Sequence, residues 1–388
     1  MKEFDIIIYG ATGYTGRLVA EYLGREYAGD KKLKWAMAGR SEEKLKAVRN
    51  EIGVPSSTPL VVADASDPAS LEAMVEKAKC IITTVGPYQL YGEPLVAACA
   101  EAGTDYVDLC GEPTWMRRMI DKYEEAAKKS GARIVFSCGF DSIPFDLGVW
   151  FAQQEAMKSF GAPLEEIKGR VRAMKGKFSG GTAASLKATM AAAFKDPSLV
   201  ELLKSPFALT PGHEGAKQPS MSKPAFDETE GVWLAPFVMA PINTKNVHRT
   251  NFLNRYAYGE NFRYSEMMIT GAGETGEKAA MAVASDNSLM GDDAPKPGEG
   301  PTKEERETGF YDILFIGKTA RGEMLRAHCK GDKDPGYGST SKMISEAAIC
   351  LVRDATDTGG GIFTPGAVMA APLIARLENH AGLTFGRE

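Results

Sequence analysis

Residues 4–16, Phe-Asp-Ile-Ile-Ile-Tyr-Gly-Ala-Thr-Gly-Tyr-Thr-Gly, constrain this chain more tightly than any other stretch. A run of strand formers, Phe4 to Tyr9, stops at Gly10. Glycine returns at Gly13 and Gly16, and apolar residues then recur at helical spacing as Leu18, Val19, Tyr22 and Leu23. A strand, a glycine turn and a helix start in this order make a dinucleotide-phosphate site. Gly10 permits the tight turn, Gly13 clears the approach of a diphosphate, and Gly16 lets the helix pack on the strand. The helix start adds unpaired amides and the positive end of its dipole. The spacing is Gly-x-x-Gly-x-x-Gly, so Ala11 and Thr12 stand where the commoner pattern has one more glycine. The contact candidates are Gly10, Thr12, Gly13, Tyr14, Thr15 and Gly16.

A second strand, 33–38, ends in Gly39-Arg40-Ser41, about 20–25 residues after the last glycine, where an adenosine ribose is read. A carboxylate there suits a free 2′-hydroxyl. This chain offers Arg40 and the Ser41 hydroxyl, a pairing suited to a 2′-phosphate, so NADP(H) is the expected cofactor. The competing reading is a solvated Arg40 at a helix start. Asp64, closing the strand candidate 60–64, is a further cofactor candidate. So are Val85, Gly86 and Pro87 after the fourth strand, where a side-chain-poor turn lets a ring approach the backbone.

Strand candidates at 4–9, 33–38, 60–64, 80–85, 105–109 and 133–138 alternate with helix candidates at 14–27, 41–51, 67–78, 92–102 and 114–129. Thr114 reads as the cap of the fifth of these helices. The alternation predicts an α/β fold with an N-terminal Rossmann, doubly wound parallel sheet. Beyond about residue 145 the pattern changes. Strands are expected at 164–180, 232–240, 247–258, 262–270, 309–318 and 322–330, and helices at 182–194, 341–352 and 365–378. These give a second α+β domain on a largely antiparallel sheet. Residues 290–308 have almost no apolar content and read as mobile.

With 44% hydrophobic and 25% charged residues and a net charge of −5, the 388-residue chain is an ordinary globular composition without a nucleic-acid footprint. It has no apolar run of the ~20 residues that span a bilayer. Strand one begins too early to leave room for a leader peptide. The six cysteines form no Cys-x-x-Cys pair and the four histidines make no metal signature. A cytoplasmic protein without a metal site is the expectation, with contact at a membrane surface left open.

Polar residues at strand ends are the candidates for chemistry. Tyr88 is either a phenol facing the cleft or a packing residue, and packing is favoured for Tyr91. Asp108 and Glu112 read as structural carboxylates. Asp141 and Ser142, on the segment linking the domains, are the best polar candidates for substrate or nicotinamide, and Asp146 reads as the cap of the next helix. Tyr88, Asp141 and Ser142 are therefore the catalytic candidates. Lys175, Lys177 and Ser179 are either solvated or bring charge and hydroxyls from the second domain. The residues alone assign no proton donor, because no Ser/Tyr-x-x-x-Lys dyad falls near the nicotinamide position.

Gly10-Ala-Thr-Gly-Tyr-Thr-Gly16, Ala38-Gly-Arg-Ser41, Val85-Gly-Pro-Tyr88, Tyr106-Val-Asp-Leu-Cys-Gly-Glu112 and Gly139-Phe-Asp-Ser-Ile-Pro144 resemble the saccharopine dehydrogenase-like oxidoreductases, in particular their trans-acting enoyl reductase branch. So do Ser179-Gly-Gly-Thr182, Asp334-Pro-Gly-Tyr337 and Gly360-Gly-Ile-Phe-Thr-Pro365. The resemblance implies an NADP(H)-dependent oxidoreductase with a cofactor domain at 1–145 plus 339–388, where C-terminal helices return, and a substrate domain at 146–338. It also implies a homo-oligomer. Two chemistries follow from the family: reduction of an enoyl group on an apolar or lipid-like metabolite, and saccharopine-type reductive amination of an amino acid and keto acid pair. The apolar run 232–242 and Met267-Met268 favour the first. A non-catalytic NADPH-binding scaffold or lipid-associated protein is the alternative of another class.

Overall fold

The computed structural model describes residues 2–177, 179–291, 296 and 298–388. The first third alternates as the pattern predicts: β1 (Phe4–Tyr9), α1 (Tyr14–Glu26), β2 (Trp35–Gly39), α2 (Glu42–Glu51), β3 (Leu60–Val62), α3 (Pro68–Val75), β4 (Ala78–Thr83), α4 (Tyr88–Tyr91), α5 (Glu93–Ala102), β5 (Asp105–Val107), α6 (Pro113–Ser130) and β6 (Arg133–Val135). The strands are short and buried on both faces, as central parallel strands are when helices cover the sheet on each side. Helix α6 turns Trp115, Met116, Met119, Ile120 and Ala127 inward and stops at Gly131, which sits at φ 88°. Its cap position is Glu112, with Pro113 at the first turn, so Thr114 lies inside the helix and does not cap it.

The sheet order is β13-β6-β5-β4-β1-β2-β3, and every pair is parallel. The strand order reverses between β1 and β4, and ligands of such sheets bind at that crevice. β13 (Gly361–Phe363) comes from the C-terminal part and adds an edge strand on β6. Helix α13 (Thr340–Arg353) lies against α1 and β4. Buried Glu346 on α13 accepts hydrogen bonds from Tyr22 (2.7 Å), Tyr27 (2.6 Å) and Arg376 (2.8 Å), which fastens the returning segment to α1.

The second unit contains α7 (Ile143–Phe160), β7 (Leu164–Lys175), α8 (Gly180–Lys195), α9 (Ser198–Lys204), β8 (Ala225–Asp227), β9 (Val232–Pro236), α10 (Ala240–Leu253), β10 (Arg263–Gly271), α11 (Gly273–Ser285), α12 (Lys303–Glu307), β11 (Phe310–Thr319) and β12 (Met324–Gly331). With β14 (Leu383–Arg387), its sheet runs β14-β12-β11-β7-β10-β9-β8. It is mixed: β7 and β10 are parallel and the other pairs antiparallel. Helices α7 and α10 pack on this sheet and on each other, between it and the first domain.

Four expectations need correction. Residues 247–258 are not a strand: 247–253 form the end of helix α10. The expected strand 232–240 stops at Pro236. The expected helix 365–378 is interrupted at Met369, giving α14 (Pro365–Val368) and α15 (Ala370–Arg376). The returning segment 339–388 does not belong wholly to the first domain, because β14 (Leu383–Arg387) pairs with β12 in the second sheet. Of the segment 290–308, residues 292–295 and 297 lie outside the described residues. Its later part is docked: the Gly180 amide donates to the Glu299 carbonyl, and Thr302 and Glu305 cap α12 reciprocally. Among the described residues no helix is long and apolar enough to cross a membrane.

Candidate active site at the sheet switch point

The glycine turn has the geometry a diphosphate needs. Gly10 sits at φ 89°, in the left-handed region, and a Cβ there would lie 2.8 Å from Thr84 Oγ1 and Val85 Cγ2. A Cβ on Gly16 would overlap the Gly10 carbonyl, so only glycine lets α1 approach β1 this closely. A Cβ on Gly13 would meet only the Gly10 carbonyl oxygen, at 3.3 Å, so Gly13 otherwise faces open space. No side chain caps the first turn of α1, which leaves its leading amides for an anion. The Tyr14 phenol is engaged elsewhere: it donates to the Pro301 carbonyl and accepts from Arg306 at 2.9 Å. Only the backbone of Tyr14 remains for a cofactor.

At the ribose end Arg40 is exposed. Ser41 is the N-cap of α2 and accepts from the Lys44 amide at 3.3 Å, so its hydroxyl already has a structural role. Asp64 is held by Ser66, whose amide and hydroxyl both donate at 2.9 Å; these bonds lower its pKa, with a smaller contribution from nearby Arg40. The cradle of amides and the exposed guanidinium fit NADP(H).

Val85, Gly86 and Pro87 follow β4 at the opposite side of the switch point. Helix α8 lies above them: a Cβ on Gly86 would reach Ser185 Oγ at 3.9 Å. Tyr88 turns away. It is buried, its hydroxyl donates to the Thr83 carbonyl (3.3 Å) and accepts from the Leu109 amide (3.1 Å), and its ring packs on Trp115. The geometry contradicts a catalytic phenol at Tyr88. Glu112 receives the amides of Tyr88 (2.9 Å) and Gln89 (2.8 Å), and Asp108 receives Tyr106 Oη and the amides of Cys110 and Ser137. Both carboxylates hold loops. Tyr91, by contrast, is 49% exposed and not packed under α5.

Asp141 differs from both. Its residue keeps a partly accessible surface. Gly111 gives it room, since a Cβ there would stand 2.8 Å from Asp141 Oδ2. Its own backbone amide is the sole group favouring the charged form, and crowding by protein pushes its carboxyl up to about 7. Ser142 is fully buried; its hydroxyl accepts from Asn246 at 2.8 Å, which removes it from the cleft. Asp146 is not a cap either. It lies within the first turn of α7 and receives Thr250 Oγ1 (2.6 Å) and the Gly366 amide (2.7 Å), with burial raising its pKa to about 7.

Sequence reasoning assigned no role to two groups that the fold brings here. Tyr337 accepts the Ser179 amide (2.6 Å) and lies 3.0 Å from Thr182 Oγ1. Its ring meets Tyr14 edge to face at 5.2 Å, so it ties α8 to the glycine turn. The Asp334-Pro-Gly-Tyr337 motif was the available signal: Asp334 gathers the amides of Gly336, Tyr337 and Gly338 and sets the phenol. Helix α10 buries Asn243, Lys245, Asn246, His248, Arg249 and Thr250. Asn243 donates to Glu266 at 2.9 Å, and burial raises that carboxyl to about 8. No local pattern in the sequence pairs these residues. Lys175 reaches Thr308 at 3.0 Å and Lys177 reaches Glu305 at 2.5 Å, so both fasten the second domain's own loops.

Comparison with known proteins places these features in a family. Residues 6–135 match the saccharopine dehydrogenase NADP binding domain. A Mycobacterium tuberculosis protein provisionally named a trans-acting enoyl reductase is 43% identical over 404 residues, covering 97% of this chain and 96% of its own. A trans-acting enoyl reductase of Mycobacterium ulcerans is 39% identical, with the same coverage. The apo saccharopine dehydrogenase of Saccharomyces cerevisiae shares the fold, with a TM-score of 0.57 at 12% identity over 99% of this chain and all of that one. The chain is an NADP-dependent oxidoreductase and belongs to the saccharopine dehydrogenase-like family, in its trans-acting enoyl reductase branch.

Proposed function

We propose that this protein uses NADPH to reduce the carbon–carbon double bond of an enoyl group on an apolar substrate. The observation that supports the reading is the Asp141 carboxyl, which stands against Gly111 in the segment after β6 and whose pKa burial raises to about 7, so that a substantial fraction carries a proton at neutrality. Bound NADPH supplies hydride. The first turn of α1, with Gly10, Thr12, Gly13, Thr15 and Gly16, holds the diphosphate, and Arg40 takes the 2′-phosphate. Val85, Gly86 and Pro87 form the side-chain-poor wall, while Ser41, Asp64, Tyr88 and Ser142 shape the surrounding loops. Asp141 supplies the proton: its O–H bond breaks as a C–H bond forms on the substrate carbon that carries the developing negative charge. The resulting carboxylate is reprotonated from solvent.

Two observations support an apolar substrate over a dicarboxylate. Six arginines of the second half that could clamp carboxylates already have partners: Arg170 with Asp227, Arg172 with Asp312 and Glu388, Arg249 with Glu124, Arg263 with Glu166, Arg321 with Glu323, and Arg326 with Glu230. Where α4 meets α8, through a Gln89–Thr189 hydrogen bond of 3.2 Å, Leu90 and Met190 are 61% and 52% exposed. The proposed domain division is 1–145 plus 339–382, and 146–338 plus 383–388. A cytoplasmic homo-oligomer completes the reading, supported by six buried, unpaired cysteines for the compartment and by family resemblance for the assembly.

The test is NADPH oxidation with enoyl thioesters of increasing chain length, set against amino acid and keto acid pairs. Turnover confined to the thioesters and rising with chain length is expected. Turnover confined to the amino acid pairs, or tight NADPH binding without any turnover, sinks the reading.

A further inference from the structure

A cavity of about 310 Å³ lies behind the glycine turn, between the outer face of α1 and the second domain. Its size falls within the range of small-molecule pockets. Five cations line it, Arg25, Lys303, Arg306, Lys333 and Lys342, against two carboxylates, on a chain whose net charge is −5. They come from α1, α12, the loop after β12 and the start of α13.

The charges are not balanced by close ion pairs. Lys303 has Glu307 at 3.8 Å, and Lys342 has the mostly exposed Asp332 at 3.8 Å. Lys333 reaches only the Glu307 carbonyl, at 3.3 Å, and Arg306 the Tyr14 phenol and the Pro301 carbonyl. Arg25 is exposed and enters no ion pair among the described residues. Lys342 has its pKa lowered first by burial; Asp332 and Glu26 oppose the shift, while Lys333 and Arg25 add like-charge repulsion. Cations gathered against their mutual repulsion in a walled cavity are stabilised by an anion that can accept from several of them.

We propose that this cavity is a second ligand site, separate from the cofactor cleft, that binds a small phosphate-bearing anion. Arg25 and Lys342 belong to the cofactor domain, and Lys303, Arg306 and Lys333 to the other. An anion bridging them fastens the 299–307 segment over Tyr14, and so over the turn that holds the cofactor. The ligand thereby stabilises the docked 299–307 segment, and linkage requires it to raise NADPH affinity by the same factor as NADPH raises its own.

The experiment uses the full-length protein saturated with NADPH, so that the glycine turn is occupied. Inorganic pyrophosphate and glycerol 3-phosphate are the probes, and sodium chloride at equal ionic strength is the control. A rise in Tm of about 2–4 °C beyond the chloride effect is expected with at least one probe. A response to pyrophosphate alone assigns a free inorganic ligand, and one to glycerol 3-phosphate an organic ester. Arg25→Gln combined with Lys342→Met should remove the shift. Should that pair fold poorly, Arg25→Gln with Lys333→Gln, both reaching solvent, serves the same purpose. Hydrogen exchange should slow in 299–307 and in α1 when the probe binds. No shift beyond chloride, or an equal shift in the charge-removed proteins, overturns the proposal.

Discussion

The cofactor end of the first sheet and helix α10 are both essential to the cleft, yet they are built on opposite principles. At the glycine turn each feature is local: a strand, three glycines and an uncapped helix start within thirteen residues. In α10 most polar side chains are buried, and four of them find partners far away in sequence. Asn246 meets Ser142, Thr250 meets Asp146, Arg249 donates to the Leu209 and Ile362 carbonyls, and Asn243 meets Glu266. A cofactor site can be written into one supersecondary unit because backbone amides do the binding. A keystone between two domains cannot, because its polar groups are satisfied only after the domains have met.

The largest expected effect separates chemistry from scaffold. Asp141→Asn keeps the volume but removes the acid, and kcat should fall by about 10²–10⁴-fold. NADPH affinity, measured by fluorescence titration, should stay within about twofold of wild type. The pH profile sharpens this. The carboxyl titrates near 7, so it holds its proton below that value and loses it above. Wild-type kcat/KM should therefore decline as pH rises through 7, and the variant should be low and flat. A variant that keeps wild-type kcat removes Asp141 from the reaction.

Two glycines of the turn divide folding from binding. Gly16→Ala drives a methyl into the Gly10 carbonyl, and should cost about 1–3 kcal/mol of stability together with cofactor affinity. Gly13→Ala meets only one atom, at 3.3 Å, so it should fold nearly as well as wild type while losing NADPH binding. Calorimetric unfolding alongside NADPH titration checks both. Equal losses of stability in the two would break the distinction. Next in size is Arg40→Ala, which should weaken NADPH by about 10–100-fold, worth roughly 1.5–3 kcal/mol, and leave NADH unaffected. An unchanged ratio of the two affinities rules out Arg40 as the phosphate ligand.

Helix α10 answers through stability. Thr250→Val deletes a hydroxyl within hydrogen-bond reach of both Asp146 and Thr364, and should cost about 1–3 kcal/mol in denaturant unfolding with NADPH affinity intact. The last effect is one of shape. Folded Glu266 titrates near 8, against 4.5 when exposed. Between those values the folded protein holds a proton that the unfolded chain has released. Its contribution to stability is thus full below about 4.5 and declines as pH rises towards 8. Glu266→Gln should flatten that part of the stability profile. An unaltered slope would show that this carboxyl is ionised in the folded protein.

The contrast also explains what could be read in advance. The six strands and intervening helices of the first sheet are legible because central parallel strands are continuous apolar runs and their helices are amphipathic, as α6 shows with Trp115, Met116, Met119 and Ile120. Residues 247–258 mislead for the opposite reason. Val247, Thr250 and the aromatics from Phe252 to Tyr258 have strand propensity, but the segment is held between α7 and β10, where contacts override propensity. By position alone Tyr88 was either a cleft phenol or a packing residue, and its two hydrogen bonds to backbone place it in the wall.

By itself the sequence determined the strand–turn–helix unit that meets a diphosphate, the guanidinium after β2 and the alternation that gives a doubly wound sheet. Each rests on interactions within a few residues. Only the tertiary structure decided that Asp141 keeps a carboxyl whose one favourable partner is its own backbone amide, while Ser142 and Tyr88 are consumed by packing. It also decided that a polar helix lies buried and that β14 crosses to the second sheet. Burial and hydrogen-bond satisfaction depend on what the rest of the chain brings near, and no local pattern carries that information.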